Sequence, residues 1–395
     1  MDPICLETIT FPNTELTSTQ FFPDGSGVVA CGTDKNVHYL PLKSNGRNVI
    51  FKGGRSKMTS IDVSPDGIMI LSGNSEGKIL SAKLSVRSKP NIFTAHSSCV
   101  NSINFSRDGS RFTTSSNDGS AKIWDFKTCK FLSSLRGHKS WVTSSTFSSD
   151  GNIIVTSSCD HHVRVWDVRD RTTTQDFGPM TSQVTRATFH PDGSIIGCSL
   201  SNGSFALIDT RNQQIIQTYE AHNSSITSIQ IHPSGLFALT TSLDKKVCIW
   251  DLVEGQLFYT INAHSSPVND GKWNSDGSQF VTCDKSGILL LWETKFDKLI
   301  KTLQEEMKQT SNSSQKRIEQ AMSVSKPIQR NNNNNNTQKI NYKMPSNDFI
   351  EDALERLVNQ LEMITRTAAL MEKRIEIQEE KLAMLQGKTS PKKKK

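Results

Sequence analysis

Short runs of alternating apolar and polar residues, each bounded by turn residues, follow one another along most of the chain. VNSINFS, RFTTSS and SAKIWD, between residues 100 and 125, are examples, and such runs read as short, half-buried strands. The turns between them keep time. A turn dipeptide stands at Asp24-Gly25, Asp66-Gly67, Asp108-Gly109, Asp150-Gly151, Asp192-Gly193, Ser234-Gly235 and Asp276-Gly277, a constant step of 42 residues. An apolar column keeps the same step through Phe21, Val63, Phe105, Phe147, Phe189, Ile231 and Trp273, as expected where a strand of each sheet packs on neighbouring sheets. Four short strands in each repeat of this length is the propeller arrangement, and seven repeats predict an all-β, seven-bladed β-propeller.

Two further columns carry polar chemistry. One reads Leu40, Ala82, Trp124, Trp166, Ile208, Trp250 and Trp292, followed by Asp125, Asp167, Asp209, Asp251 and Glu293 in five repeats; the other gives His96, His138, His222 and His264. Histidine near the start of a repeat and tryptophan-aspartate near its end resemble the WD-repeat family, over roughly Pro3 to Leu303.

That resemblance implies a hydrogen-bonded tetrad inside a blade. It assigns His96, Thr114, Asp118 and Trp124 to one set, His138, Thr156, Asp160 and Trp166 to a second, and His222, Thr240, Asp244 and Trp250 to a third. The chemistry fits, because a buried indole N–H, imidazole and carboxylate each need a partner, and a linked network satisfies them together. The last repeat keeps His264, Thr282 and Trp292 but has Ser286 in the aspartate column, so its network is expected to be incomplete. The repeats with Leu40, Ala82 and Ile208 are expected to rely on apolar packing. For closing the ring there are two candidates for the outer strand of the last blade, Cys5 to Ile9 and Leu299 to Leu303. The N-terminal one is how the family usually closes.

Most of the histidines, aspartates and serines recur in columns, whereas a catalytic triad would be a unique constellation. Neither a G-x-x-x-x-G-K phosphate loop nor H-E-x-x-H occurs, and the His161-His162 pair sits in a predicted tight turn. No enzyme activity, metal or cofactor is expected. The eight cysteines are scattered without a C-x-x-C pair, which suits reduced thiols in a cytosolic protein. The start, MDPICLETITF, does not read as a secretory signal, and no apolar stretch approaches a membrane span. Part of the net charge of +7 is the run Lys392 to Lys395, a solvated tail or a contact for an acidic surface.

Propellers offer loops for docking, so breaks in the columns are the places to look. The column entering the first strand of each repeat reads Glu15, Lys57, Cys99, Trp141, Gln183, Ser225 and Pro267. Trp141 is the outlier, either a binding anchor or a side chain packed on a neighbouring loop. Lys57 and Lys139 are candidates to face an acidic partner, and Arg186, in a column otherwise mostly serine, to reach the central opening.

The propeller is thus read over residues 1–303. Residues 304–345 turn polar, with asparagine from Asn331 to Asn336, and read as a disordered linker. Over 346–386 a heptad seam follows, formed by Leu354, Leu357, Leu361, Ile364, Ala368, Met371, Ile375, Gln378, Leu382 and Leu385. It predicts a coiled-coil helix, pairing with itself or with a different helical partner, before a basic tail over 387–395.

A propeller, a polar linker and a terminal LERLVNQLEMITRTAALMEKRIEIQEEKL resemble the proteome-of-centriole family of centriole and basal-body WD proteins. What this implies is a scaffold of the cytoplasm and cytoskeleton, homodimeric through its coiled coil and close to tubulin triplets and other centriolar proteins. It would support centriole stability and cilium formation. Neither nucleic acid binding nor membrane insertion is expected. The alternative is a substrate-recruiting adaptor of a ubiquitin ligase or other complex, although nothing resembling an F-box precedes the propeller.

Overall fold

The structure, a computed structural model, describes residues 3–42, 48–84, 90–294 and 296. The linker, the heptad seam from Leu354 to Leu385, the basic tail and the candidate strand Leu299 to Leu303 lie outside the described residues.

The described residues form seven sheets of four antiparallel strands, ordered by sequence around a ring. Blade 3 is typical, with Val100–Phe105 innermost, then Arg111–Ser116, Ser120–Asp125 and, outermost, Lys130–Arg136. Blades 1 and 2 span 16–52 and 58–94, and blades 4, 5 and 6 span 142–177, 184–220 and 226–261. Blade 7 takes three strands from 268–293 and its outermost, Ile4–Thr10, from the other end of the sequence.

The N-terminal strand therefore closes the ring. It pairs Cys5 with Trp292 and Ile9 with Leu289, the counterparts of Phe131 with Trp124 and Leu135 with Ala121 in blade 3. The pairing removes an open strand edge from the last blade's third strand.

Each repeat folds as a hairpin because its turn is built for one. The seven glycines of the turn column all have φ between 65° and 79°, the left-handed region that a side chain disfavours. Apolar faces then pack from blade to blade: Ala121, Ile123 and Leu135 of blade 3 form one cluster with Val142, Phe147, Ile154 and Trp166 of blade 4.

A second device joins the blades. In every blade the innermost pair slips register at the same place, as between Val100 and Ser102, a bulge that takes one residue out of the ladder. The skipped residues are Thr17, Thr59, Asn101, Thr143, Thr185, Thr227 and Asn269. Six of them donate to the backbone carbonyl that opens the next blade's innermost strand. Thr17 bonds Met58 at 3.0 Å, Asn101 bonds Val142 at 2.8 Å, Thr143 bonds Val184 at 2.8 Å and Thr227 bonds Val268 at 2.7 Å. Thr59 bonds Val100, and Asn269 reaches Leu16 at 2.6 Å across the closure. Thr185 instead bonds Ser199 of its own blade at 2.8 Å.

The antiparallel order sets two faces. Entry loops into the innermost strands and the turns between second and third strands share one, here the entry face; the Asp-Gly turns occupy the other.

Candidate functional site

The entry face is held by the predicted tetrads. In blade 3 the Trp124 indole N–H donates to Thr114 Oγ1 at 3.0 Å, Thr114 meets His96 Nε2 at 2.7 Å, and His96 Nδ1 lies 2.8 Å from Asp118. Blade 4 repeats this with Trp166, Thr156, His138 and Asp160 at 2.8, 2.8 and 2.9 Å. Trp250, Thr240, His222 and Asp244 of blade 6 give 3.0, 2.9 and 3.0 Å.

The direction of each chain follows from its ends. Indole only donates and an ionised carboxylate only accepts, so the threonine hydroxyl donates to Nε2 and a neutral imidazole donates from Nδ1. Titration agrees. Burial lowers the pKa of His96, His138 and His222 below the ordinary 6.5, against the opposing pull of their aspartates. Burial also acts to raise Asp160, but hydrogen bonds from the Lys139 backbone and His138 outweigh it and bring the carboxyl down to about 2. Asp118 and Asp244 are lowered in the same sense. Each carboxylate also accepts the backbone N–H after its histidine, that of Lys139 at 2.9 Å for Asp160, tying entry loop to turn.

Blade 7 corrects the sequence expectation, because its network is complete. Trp292 donates to Thr282 at 3.1 Å, Thr282 meets His264 at 2.8 Å, and His264 Nδ1 lies 3.0 Å from Asp284. Asp284 stands two residues before Ser286, in the column of Ser116, Ser158 and Ser242. Those serines accept the backbone N–H of Asp118, Asp160 and Asp244, at 3.1 Å each. Asp284 does both jobs, with Oδ2 on His264 and Oδ1 accepting from Ser286 and Ile288, both at 2.9 Å. The signal was an aspartate where other repeats carry serine.

Blades 1, 2 and 5 lose the network as a unit. Blade 5 has Met180, Cys198, Asn202 and Ile208 at the four positions, and Met180, Cys198 and Ile208 share one buried apolar cluster. Blade 1 has Pro12, Ala30, Asp34 and Leu40, and its aspartate turns to His38 at 2.6 Å. Blade 2 has Gly54, Ser72, Glu76 and Ala82, with the Ser72 hydroxyl on the Ser60 carbonyl at 2.8 Å. No indole or imidazole is stranded at these positions.

Arg186 turns to the central opening and is engaged there by a carboxylate. It lies on the innermost strand of blade 5, with Nη2 3.7 Å from Asp270 Oδ1 on the innermost strand of blade 7. Both belong to one column, Ser18, Ser60, Ser102, Ser144, Arg186, Ser228 and Asp270, so its two charged members have opposite signs and meet across the central opening. Asp270 is fully buried and accepts from the Ser18 hydroxyl at 2.7 Å and the Thr19 N–H at 3.3 Å. Burial acts to raise its pKa, but the charges of Arg186 and Lys272 outweigh it and the carboxyl ends below its ordinary value.

The remaining candidates stay on the surface. Trp141 is 56% exposed and Lys57 and Lys139 are exposed. Trp141 and Lys139 line a groove of about 700 Å³ between the turn of blade 3 and the entry loop of blade 4. His162 is engaged by Asp176 at 2.7 Å, and among the described residues no cluster of metal-ligating side chains occurs. Burial pushes the thiols of Cys31 and Cys198 up to about 12 and that of Cys248 to about 11, so they stay protonated.

Comparison with known proteins gives a partial picture with a clear pattern. Residues 87–125, 129–167, 213–251 and 255–293 match the WD40 family model, described as WD domain, G-beta repeat. No curated protein matches the chain. Each matched segment ends with the tryptophan-bearing third strand of blade 3, 4, 6 or 7, the four that hold a complete tetrad. The chain carries WD40 repeats, folded as a seven-bladed β-propeller.

Proposed function

We propose that this protein is a non-enzymatic scaffold of centrioles and basal bodies, which binds tubulin or centriolar proteins through its propeller and pairs with itself through its C-terminal heptads. The observation that carries a docking role is Trp141. Five of the six tryptophans are at most 8% exposed, whereas this one is 56% exposed on an entry loop fixed by a tetrad. A large aromatic held rigidly in water is a typical anchor for a partner. The centriolar assignment is supported by the sequence resemblance, and paired propellers would strengthen weak contacts through avidity.

Copurification tests the assignment. A tagged full-length chain is expected to bring down tubulin and to coincide with a centriole marker. Recovery of ubiquitin-ligase subunits without tubulin would favour the adaptor reading instead. Deleting residues 348–385 is expected to abolish dimerisation and weaken centriolar retention; a truncated chain that stays dimeric by light scattering and localises normally would refute the self-association.

A further inference from the structure

The groove beside Trp141 has a definite chemistry. Its walls carry three cations, Lys122, Arg136 and Lys139, against one carboxylate, Asp118. That carboxylate is already committed to His96 at 2.8 Å, to the Ser97 N–H at 3.3 Å and to the Ser120 hydroxyl at 2.6 Å. Lys122 is held by the Ala95 carbonyl at 2.6 Å. Among the described residues, neither Arg136 nor Lys139 has a carboxylate partner. Two unpaired cations therefore flank an exposed indole.

Both walls are fixed in advance. The blade 3 tetrad holds the turn with Asp118, and Asp160 of blade 4 accepts the Lys139 N–H at 2.9 Å. Ordering the receptor costs little when its loops are already tied down. Lys57, also exposed, occupies the same column as Trp141 two blades away.

We infer that this groove is the docking site for an extended acidic segment of a partner protein. Carboxylates of that segment pair with Arg136 and Lys139, and an apolar side chain covers the Trp141 indole. A peptide suits the lining better than a nucleic acid, because the Asp118 carboxylate in the same wall repels a continuous phosphate backbone, whereas spaced side-chain carboxylates can reach the cations and avoid it. The inference rests on reading the protein as a protein-binding scaffold and names the chemistry of what that scaffold holds.

The test is a titration of the full-length protein with a short synthetic glutamate-rich peptide containing one leucine, followed by tryptophan fluorescence and calorimetry. Covering the exposed Trp141 is expected to shift emission to the blue in a saturable way. Arg136→Glu with Lys139→Glu is expected to weaken binding by about tenfold or more, and added salt to weaken the native protein's binding. Trp141→Phe is expected to bind measurably while losing the emission change. Lys127→Glu, on the turn between the third and fourth strands of blade 3, changes neither.

The groove is refuted if the native protein does not bind, if the double variant binds with unchanged affinity, or if a single-stranded oligonucleotide displaces the peptide from this site. Its fate is separable from that of the centriolar reading. Peptide binding without tubulin copurification leaves the groove and removes the cytoskeletal assignment. Tubulin copurification undiminished in the double variant does the reverse.

Discussion

Blades 3, 4, 6 and 7 and blades 1, 2 and 5 reach one architecture by opposite chemistries. All seven share the four-stranded order, the glycine turn and the innermost bulge. The first group runs a chain of hydrogen bonds from a buried tryptophan to a carboxylate; the second puts smaller or apolar groups in the indole, threonine and imidazole columns. Substitution is concerted. Where the indole is lost in blade 5, the threonine becomes Cys198 and the histidine Met180, both buried. A half-satisfied buried network is worse than a complete one or none, and no blade was found with half. The WD40 model registers the first group alone.

The contrast breaks most readily at its apolar anchor. Trp166 is 2% exposed, and Trp166→Ala is expected to cost about 3–5 kcal/mol in chemical denaturation, from the cavity and the lost bond to Thr156. Asp160→Ala is expected to cost about 1–3 kcal/mol, because it leaves the donors of His138, Lys139 and His162 without their acceptor. An unchanged melting temperature in the second variant would show that the tetrad contributes nothing to stability.

The converse experiment converts a blade of the second kind. Ile208→Trp in blade 5 is expected to destabilise by about 1–3 kcal/mol through overpacking, and the new indole N–H also lacks an acceptor. Adding Cys198→Thr supplies that acceptor. The double variant is expected to be more stable than the sum of the single effects, a coupling measurable in a double-mutant cycle. Strict additivity would mean that the columns vary independently.

The repeat was legible because seven copies at one interval leave little room for another fold, and the tetrads because their members are side chains at constant offsets. What escaped has a physical reason in each case. Asp284 substitutes from the neighbouring column, since its side chain reaches both the histidine and the turn that a serine and an aspartate share elsewhere. The Thr and Asn column of the bulges was invisible because its partners are backbone carbonyls 41 residues ahead, and a carbonyl has no sequence signature. Arg186 stands out in its column by size and charge, whereas its partner Asp270 is as small and polar as the serines it replaces. Exposure of Trp141 follows from the geometry of an entry loop, which a column alone does not specify.

The Arg186–Asp270 pair sets a charge contact across the central opening. Its double-mutant cycle is expected to show a coupling of about 0.5–3 kcal/mol. Asp270→Ala is expected to cost more than Arg186→Ser, because Asp270 also accepts from Ser18 and Thr19 of blade 1 while Lys272 stays nearby to stabilise a lone carboxylate. Equal costs would show that the bonds to blade 1 carry no weight.

Acid separates the two groups of blades most gently. His96, His138 and His222 have folded pKa values below the ordinary 6.5 because burial disfavours their charged form. The unfolded chain therefore takes up protons first as pH falls below about 6.5, and stability declines from there until the folded pKa values are reached. Asp160 adds a second decline. Its folded pKa is depressed from 3.8 to about 2, so its contribution is present above about pH 4 and lost as pH falls towards 2. Blades 1, 2 and 5 have no buried imidazole in these columns and so no matching term. The melting temperature measured from pH 8 to pH 5 is expected to fall below about 6.5 in the native protein. In a variant with His138→Gln, which keeps a neutral amide in the same site, that fall is expected to be shallower; an identical slope would locate the acid sensitivity outside the tetrads.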